Sequence, residues 1–299
     1  MKISIIIPYK NEEKDIILTA KKILKQSYKK YEVIFINSNS KDSSFKLLNN
    51  FILKNKLKNF RNISRKTLFP SDSKNMGIKL SKYNYVSFMD CGLEFDKDWL
   101  KNQKEFIKKN KQELVLGNLF SSASLPFEKA IISQTWGLNR IINVIPGTLI
   151  KKKLFKRIGN FKILRAGYDR FWISNIKKKI RISDNQKNLV KYRNVDNSNN
   201  LLKLYNKICL YSYYSSYIYK KKMILYLLMF ILFLIFATYV NFVATILFYI
   251  FLRFIYPFLK SKQIYELLEI RTLLYLIPVG FVIDFARIFG YFKRLFNFT

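Results

Sequence analysis

The stretch "SFMDCGLEFDKDWL", Ser87–Leu100, reads as an apolar strand that stops at Asp90, passes through Cys91 and Gly92, and turns into a helix. A burial-driven strand ends on a carboxylate only where water, a cation or several donors surround the charge, so Asp90 marks a site. Upstream the same rhythm repeats. "ISIIIP" (Ile3–Pro8) is a short apolar run, and a helix over Asn11–Gln26 puts Ile16, Ala20, Ile23 and Leu24 on one face. "YEVIFIN" (Tyr31–Asn37) is the next strand, followed by a helix marked by Phe45, Leu48, Phe51 and Ile52. A third strand over Phe60–Ser64 and a helix from Asp72 to Ser81 lead back to the quoted stretch. Strands alternating with crossover helices imply an α/β layer with a mainly parallel central sheet. Ligands of such sheets sit at the carboxyl ends of the strands, where Asn37 and Asp90 both fall.

Half of the 299 residues are apolar, enough for a substantial core. Lys and Arg number 54 against 19 Asp and Glu, a formal charge of +35 that raises the question of nucleic acid or an anionic membrane. The cations are spread along the chain, whereas a nucleic-acid footprint clusters on one element, and no nucleic-acid-binding motif accompanies them; nucleic acid is not an expected partner. The absence of histidine removes Ser-His and Cys-His nucleophile pairs and His-ligated zinc, leaving acid-base work to carboxylates, Tyr, Lys or Cys. Two isolated thiols, Cys91 and Cys209, and a lysine-rich start unlike a cleavable signal fit a reducing, cytosolic setting.

The last third changes character. As one helix, Met223–Tyr256 would run about 51 Å at ~1.5 Å per residue against a hydrocarbon core of ~30 Å. Two short spans turning near Asn241 are therefore expected, with Lys222 and Arg253 snorkelling at their ends. Lys220–Lys222 before the hairpin and Arg253, Lys260 and Lys262 after it put both ends in the cytoplasm by positive-inside counting. A further apolar stretch, Leu273–Phe292, carries Asp284 and Arg287. It reads as a third span or as a helix lying in the interface, which suits its charges better.

"ISIIIPYKNEEKDI", a strand ending at Asn37, "SKNMGIKLS", and a strand ending at Asp90 with "DKDWL" after it together resemble the family 2 glycosyltransferases of the GT-A fold. The resemblance covers residues 1–195. It implies a GT-A nucleotide-sugar-binding domain over 1–205; after it an amphipathic connecting helix over 206–222 and, from the apolar pattern, a helical membrane region over 223–299 are expected, with the hairpin at 223–256 and the third segment at 273–292. It places Pro8, Asn11 and Glu12 in the nucleotide cradle; Glu12 also reads as a first-turn helix acid. Asn37 and Ser38 stand where relatives carry acids, and Asn37 can still bond a base edge or ribose. Asp42 reads as a helix N-cap. Lys74 takes the position of a diphosphate contact, or is one more solvated lysine, and Asn75 beside it fixes the turn.

The family's Asp-x-Asp triplet, which holds ribose and a divalent cation, is here Asp90, Cys91, Gly92. Asp90 keeps the ribose or metal position, so Mg²⁺ or Mn²⁺ stays open as a cofactor although the second acid is missing. Glu94 reads as a loop acid, or as a further oxygen for the cation. "RIGNFKILRAGYDRFWISNIKKKI" resembles the family's last motif, in which an aspartate is the general base. Asp169 occupies that place, with Tyr168 where glutamate is common; a helix N-cap is the other reading. Trp136, on a loop between Gly117 and Gly147, reads as a sugar platform or as packing.

The resemblance thus implies an inverting transfer from a nucleotide-sugar donor to a lipid-linked or cell-envelope glycan acceptor, by a multi-pass protein of the inner membrane with its catalytic domain in the cytoplasm. The lost acids at 37, 38 and 92 leave a second possibility: a catalytically silent membrane scaffold of the same fold that binds nucleotide weakly or holds polyanions or partner enzymes.

Overall fold

Strands covered on both faces are apolar almost throughout, and two such interior strands set the frame. In the computed structural model, β1 (Ile3–Tyr9) and β2 (Tyr31–Asn37) are buried at every position. They pair in parallel from Ile3 opposite Tyr31 to Tyr9 opposite Asn37. β3 (Phe60–Ser64) joins on the β2 side and β4 (Tyr85–Phe88) on the β1 side, both parallel. Beyond β4 the sheet is mixed. β7 (Arg140–Lys151) runs antiparallel to β4, then come β6 (Leu114–Ser121), β8 (Leu189–Tyr192) parallel to β6, and β5 (Leu93–Phe95) antiparallel to β8. The mainly parallel α/β sheet expected from the sequence is present. The structure describes residues 1–66, 69–180, 182, 185, 188–192 and 200–296.

The crossover helices are α1 (Ile16–Leu24), α2 (Ser44–Lys54) and α3 (Pro70–Leu80), with α4 (Trp99–Lys109) after β5. α1 begins at Ile16 and not at Asn11. Asn11 takes a left-handed φ of 56°, open to Asn at little cost, and the amides of Asp15 and Ile16 then bond the Glu12 carbonyl in a tight turn. α3 lies close on the sheet at Gly77, where a Cβ would stand 2.3 Å from Ile6 Cγ2 and 3.2 Å from Ile36 Cδ1. Glu94 lies in β5 and pairs with Lys22, so it is not a loop acid. Under the end of β4, Phe88, Phe155, Phe161 and Trp172 form an aromatic core. Phe88 meets Phe161 edge-on at 5.4 Å, and Phe155 stacks on Trp172 at 5.5 Å. That core seats α6 (Leu154–Ile158) and α7 (Tyr168–Lys179).

The chain divides into two compact units, residues 1–120 with 141–193, and residues 121–140 with 194–299. The second unit therefore claims 121–140, which the sequence reading kept inside a first domain ending at 205. This segment carries α5 (Pro126–Thr135), so Gly117–Gly147 is not a loop, and Trp136 sits at the C-cap of that helix.

Within the second unit, α8 (Leu201–Ser216) starts earlier than the connecting helix expected over 206–222, because the Asn200 side chain accepts from the amides of Leu202 and Lys203. Residues 220–222 open the next helix instead. α9 (Lys220–Tyr239) and α10 (Phe242–Lys260) turn at Asn241, whose side chain caps Ala244 N at 2.9 Å. At 20 and 19 residues, each reaches about 30 Å at ~1.5 Å per residue, the thickness of a hydrocarbon core. α11 (Ile270–Leu295) buries Leu276, Val279 and Ile283 against Phe127, Ala130 and Ile131 of α5 and Leu204 of α8. Its Asp284 pairs with Arg253, accepts from Tyr249 Oη at 3.1 Å and lies 3.7 Å from Arg287. The charges that favoured an interfacial position are thus paired inside the helical unit, where charged groups of apolar helices are usually found. α9, α10 and α11 are each long and apolar enough to cross a membrane.

Candidate active site

Four chain segments of the first unit meet at the carboxyl end of β4. Met89 still bonds the sheet, its amide donating to Ile6 O at 3.1 Å, and Asp90 follows as the first residue free to turn outward. Its Oδ1 accepts from Lys74 Nζ at 2.8 Å. The Lys74 side chain is 2 % exposed while that of Asp90 is 32 % exposed, so the ammonium is enclosed and the carboxylate opens to solvent. The same ammonium bonds Tyr168 Oη at 3.3 Å. Burial works against the charge on Lys74, but the neighbouring Asp90 and the bond to Tyr168 outweigh it, and its pKa is raised. Burial pushes Tyr168 up to about 12, against the pull of Lys74. Lys74 is therefore not a solvated lysine: its ammonium holds Asp90 and Tyr168 together at the end of β4.

One face of α3 organises the surroundings. Ser71 Oγ donates to Leu164 O at 2.9 Å and accepts from Leu164 N at 3.0 Å. Asn75 does the same with Phe161, at 2.8 and 3.0 Å. Residues 71, 74 and 75 are spaced to share one helical face, and together they tie residues 161–164 and Asp90 to a single helix. That segment leads into Gly167, left-handed at φ 81°, which is the N-cap of α7. Asp169 is hence not an N-cap; it lies in the first helical turn, partly exposed, one residue after Tyr168.

Tyr192 closes the arrangement from β8, where it pairs opposite Leu93 just past the Asp90–Gly92 turn. Its phenol pKa is raised, by burial first and then by the charge of Asp90, with Asp169 also contributing. Asp90 and Asp169 thus act on a common neighbour. The sequence noted Tyr168 only as a departure from a motif and missed Tyr192, whose place follows from a strand pairing that local pattern does not reveal.

The nucleotide-cradle candidates form a neighbouring group at the ends of β1 and β2. Pro8 is buried within β1. Asn11 Oδ1 accepts from Lys41 N at 2.8 Å, and its own amide donates to Ser40 Oγ at 2.9 Å. Glu12 N donates to Ser44 Oγ at 2.8 Å. Burial, then the charges of Asp90 and Asp42, raise the Glu12 carboxyl to about 7. Asn37, 4 % exposed, accepts from Ser40 N and Ser40 Oγ at 3.0 and 2.6 Å and donates to Ser64 Oγ at 3.2 Å. Its side chain braces the loop it starts. Asp42 precedes the N-cap residue Ser43 and bonds Ser44 N at 3.1 Å, a turn-forming role one position earlier than expected.

The donor set does not suit a protein-held divalent cation. One Asp90 oxygen is taken by the enclosed ammonium of Lys74, Gly92 supplies no side-chain oxygen, and Glu94 is paired with Lys22. Among the described residues no three Cys, Asp or Glu side chains gather as metal ligands do. Gly92 also has φ +76°, a backbone few side chains adopt, with the Asp15 carboxylate 3.5 Å from where a Cβ would be. A second acid there would face a like charge.

The family model for glycosyl transferase family 2 matches residues 4–175. The chain belongs to that family. A poly(ribitol-phosphate) beta-glucosyltransferase of Bacillus spizizenii is 31 % identical over 161 residues, 52 % of this chain but only 25 % of that longer protein. Staphylococcus aureus TarS in complex with UDP-GlcNAc superposes with a TM-score of 0.52 at 20 % identity, over 71 % of this chain and 66 % of that one. A mannosyltransferase of Pyrobaculum calidifontis in complex with GDP-Man and Mn²⁺ covers all of this chain and 88 % of its own, with a TM-score of 0.59 at 14 % identity. At such identities the two structures establish the GT-A-like fold.

Proposed function

We propose that the protein is an inverting glycosyltransferase that moves a sugar from a nucleotide-sugar donor to a lipid-linked or cell-envelope glycan acceptor at the cytoplasmic face of a membrane. The observation that carries this reading is the Lys74 ammonium bonded to both Asp90 and Tyr168, with Asp169 next in the chain. It brings a carboxylate at the donor end of the sheet and one at the head of α7 around the same residues. Asp90 binds the donor ribose, Pro8, Asn11, Glu12 and Asn37 shape the base pocket, and Lys74 positions Asp90. Asp169 takes the proton from the acceptor hydroxyl as its oxygen attacks the anomeric carbon. The bond from that carbon to the diphosphate breaks, and the nucleoside diphosphate leaves with the electron pair. A single displacement needs no protein nucleophile, in keeping with a chain that has no histidine.

Three helices of membrane-crossing length and the cations at 220–222, 260 and 262 support a multi-pass anchor with the catalytic unit on the cytoplasmic side. The Bacillus relative's name supports an envelope polymer as acceptor. The test is Asp169→Asn in purified membranes, read as nucleotide release and sugar transfer. Loss of a general base lowers transfer by about a thousandfold while nucleotide binding stays within about twofold, below ~0.5 kcal/mol. Full turnover in the variant removes Asp169 from the role. A silent scaffold has one observation in its favour, that both ends of the Asn37 side chain are occupied within the protein. Calorimetric titration with nucleoside diphosphates that gave no heat, with or without Mn²⁺, would decide for it.

A further inference from the structure

A cavity of about 550 Å³ lies along the outer face of α7. Arg170, Ile173, Ser174, Lys177 and Lys178 line it from that helix, at spacings of three and four that put them in one row. Ile142 and Asn143 of β7 form the opposite wall. Three of these side chains are cationic and none is acidic, and among the described residues none of the three cations is ion-paired. Lys177 donates to Asn143 Oδ1, which fixes one ammonium against the wall. The two isoleucines supply an apolar floor between the charges.

We propose that this cavity is the subsite for the anionic part of the acceptor, a glycan or polyol chain bearing phosphate groups. The proposal rests on the transferase reading, narrows its acceptor to a chain that carries phosphate, and assigns that chain a place on the protein. Arg170 to Lys178 covers about 12 Å at ~1.5 Å per residue, so the row takes more than one phosphate. Arginine and lysine are the side chains that bind phosphate by charge-assisted hydrogen bonds. Ser174, exposed on the same row, offers a neutral partner for a hydroxyl, and the isoleucines suit the carbon faces between the charges. Arg170 follows Asp169 directly. One rigid helix therefore carries the proposed base and the cations, and a chain held along it is kept in register with the base.

The competing explanation is the bulk charge of +35, which attracts any polyanion. The test measures binding of poly(ribitol phosphate), and of neutral ribitol, to the full chain in nonionic detergent by microscale thermophoresis. The variants are Arg170→Ala/Lys177→Ala/Lys178→Ala and an equal-charge control in exposed positions, Lys46→Ala/Lys54→Ala/Lys58→Ala. The cavity variant should bind the polymer about tenfold more weakly, as for three partly screened ion pairs, and the control less than about twofold more weakly. Lys178→Glu alone, about threefold weaker, serves if the triple variant does not fold. Equal losses in cavity variant and control, or no polymer binding by the unaltered protein, overturn the proposal. Nucleoside diphosphate titrated into the unaltered protein separates the two readings: polymer binding without nucleotide binding sinks the transferase and leaves the polyanion subsite standing.

Discussion

Glu12 should make the stability of the first unit depend on pH in a direction opposite to most carboxylates. Its carboxyl ionises at 4.5 in its ordinary setting and at about 7 in the folded protein, through burial and the charges of Asp90 and Asp42. The folded state therefore holds the proton more tightly. Between those two pH values the unfolded chain has released a proton that the folded chain keeps, so unfolding becomes easier as pH rises. Below the lower value both states are protonated, and the penalty vanishes. The full displacement corresponds to about 3 kcal/mol, an upper figure because a partly exposed carboxylate recruits water. Glu12→Gln removes the ionisation and keeps the shape. The variant should match the unaltered protein near pH 4 and exceed it by about 2–3 kcal/mol near pH 8. The assay is chemical denaturation in nonionic detergent, followed by fluorescence of Trp99 and Trp172, both buried in this unit. A difference between the two proteins that does not change with pH would refute the reasoning, since it would mean that Glu12 ionises alike in both states.

Lys74→Met keeps the aliphatic stem but strips Asp90 and Tyr168 of their shared partner, and should lower stability by about 2–4 kcal/mol; the same denaturation assay, with unchanged stability, would count against the enclosed ion pair. Gly77→Ala places a methyl group against Ile6 and should destabilise by about 1–3 kcal/mol, measured by the shift of the thermal midpoint. Chelation with EDTA should change the affinity for a nucleoside diphosphate by less than about twofold, below ~0.5 kcal/mol, as read by calorimetry; a tenfold loss restored by Mn²⁺ would show that the phosphates are held through a cation despite Gly92.

The sheet was legible because its information is local. Seven consecutive buried positions in β2 need no partner to announce a strand, and the limits Tyr31 and Asn37 coincide with those read from the sequence. Element boundaries set by single polar side chains were harder. α1 starts late because of the left-handed Asn11, and α8 starts early because Asn200 caps it, whereas the apolar periodicity on either side is indifferent to both. Lys74 illustrates a different limit. In a chain with so many lysines nothing in its sequence context distinguishes an enclosed ammonium from a solvated one, and only the meeting of α3 with the end of β4 and the start of α7 does so. Tyr192 was hidden for the same reason, its neighbours being fixed by the pairing of β8 with β5. Asn37 was visible as a strand end, but its hydrogen bonds run to Ser40 and Ser64, the second across a strand pair.

Attachment of both carboxylate-bearing segments to one turn of α3 limits how such an enzyme can be re-engineered. Ser71 and Asn75 clasp residues 161–164 by main-chain pairs, while Lys74 between them grips Asp90. A graft that exchanges residues 159–167 will disturb the setting of Asp90 as well unless its backbone can still meet those two side chains. Exchanging α3 together with that segment, as a single cassette, is the transplant that the hydrogen-bond pattern permits.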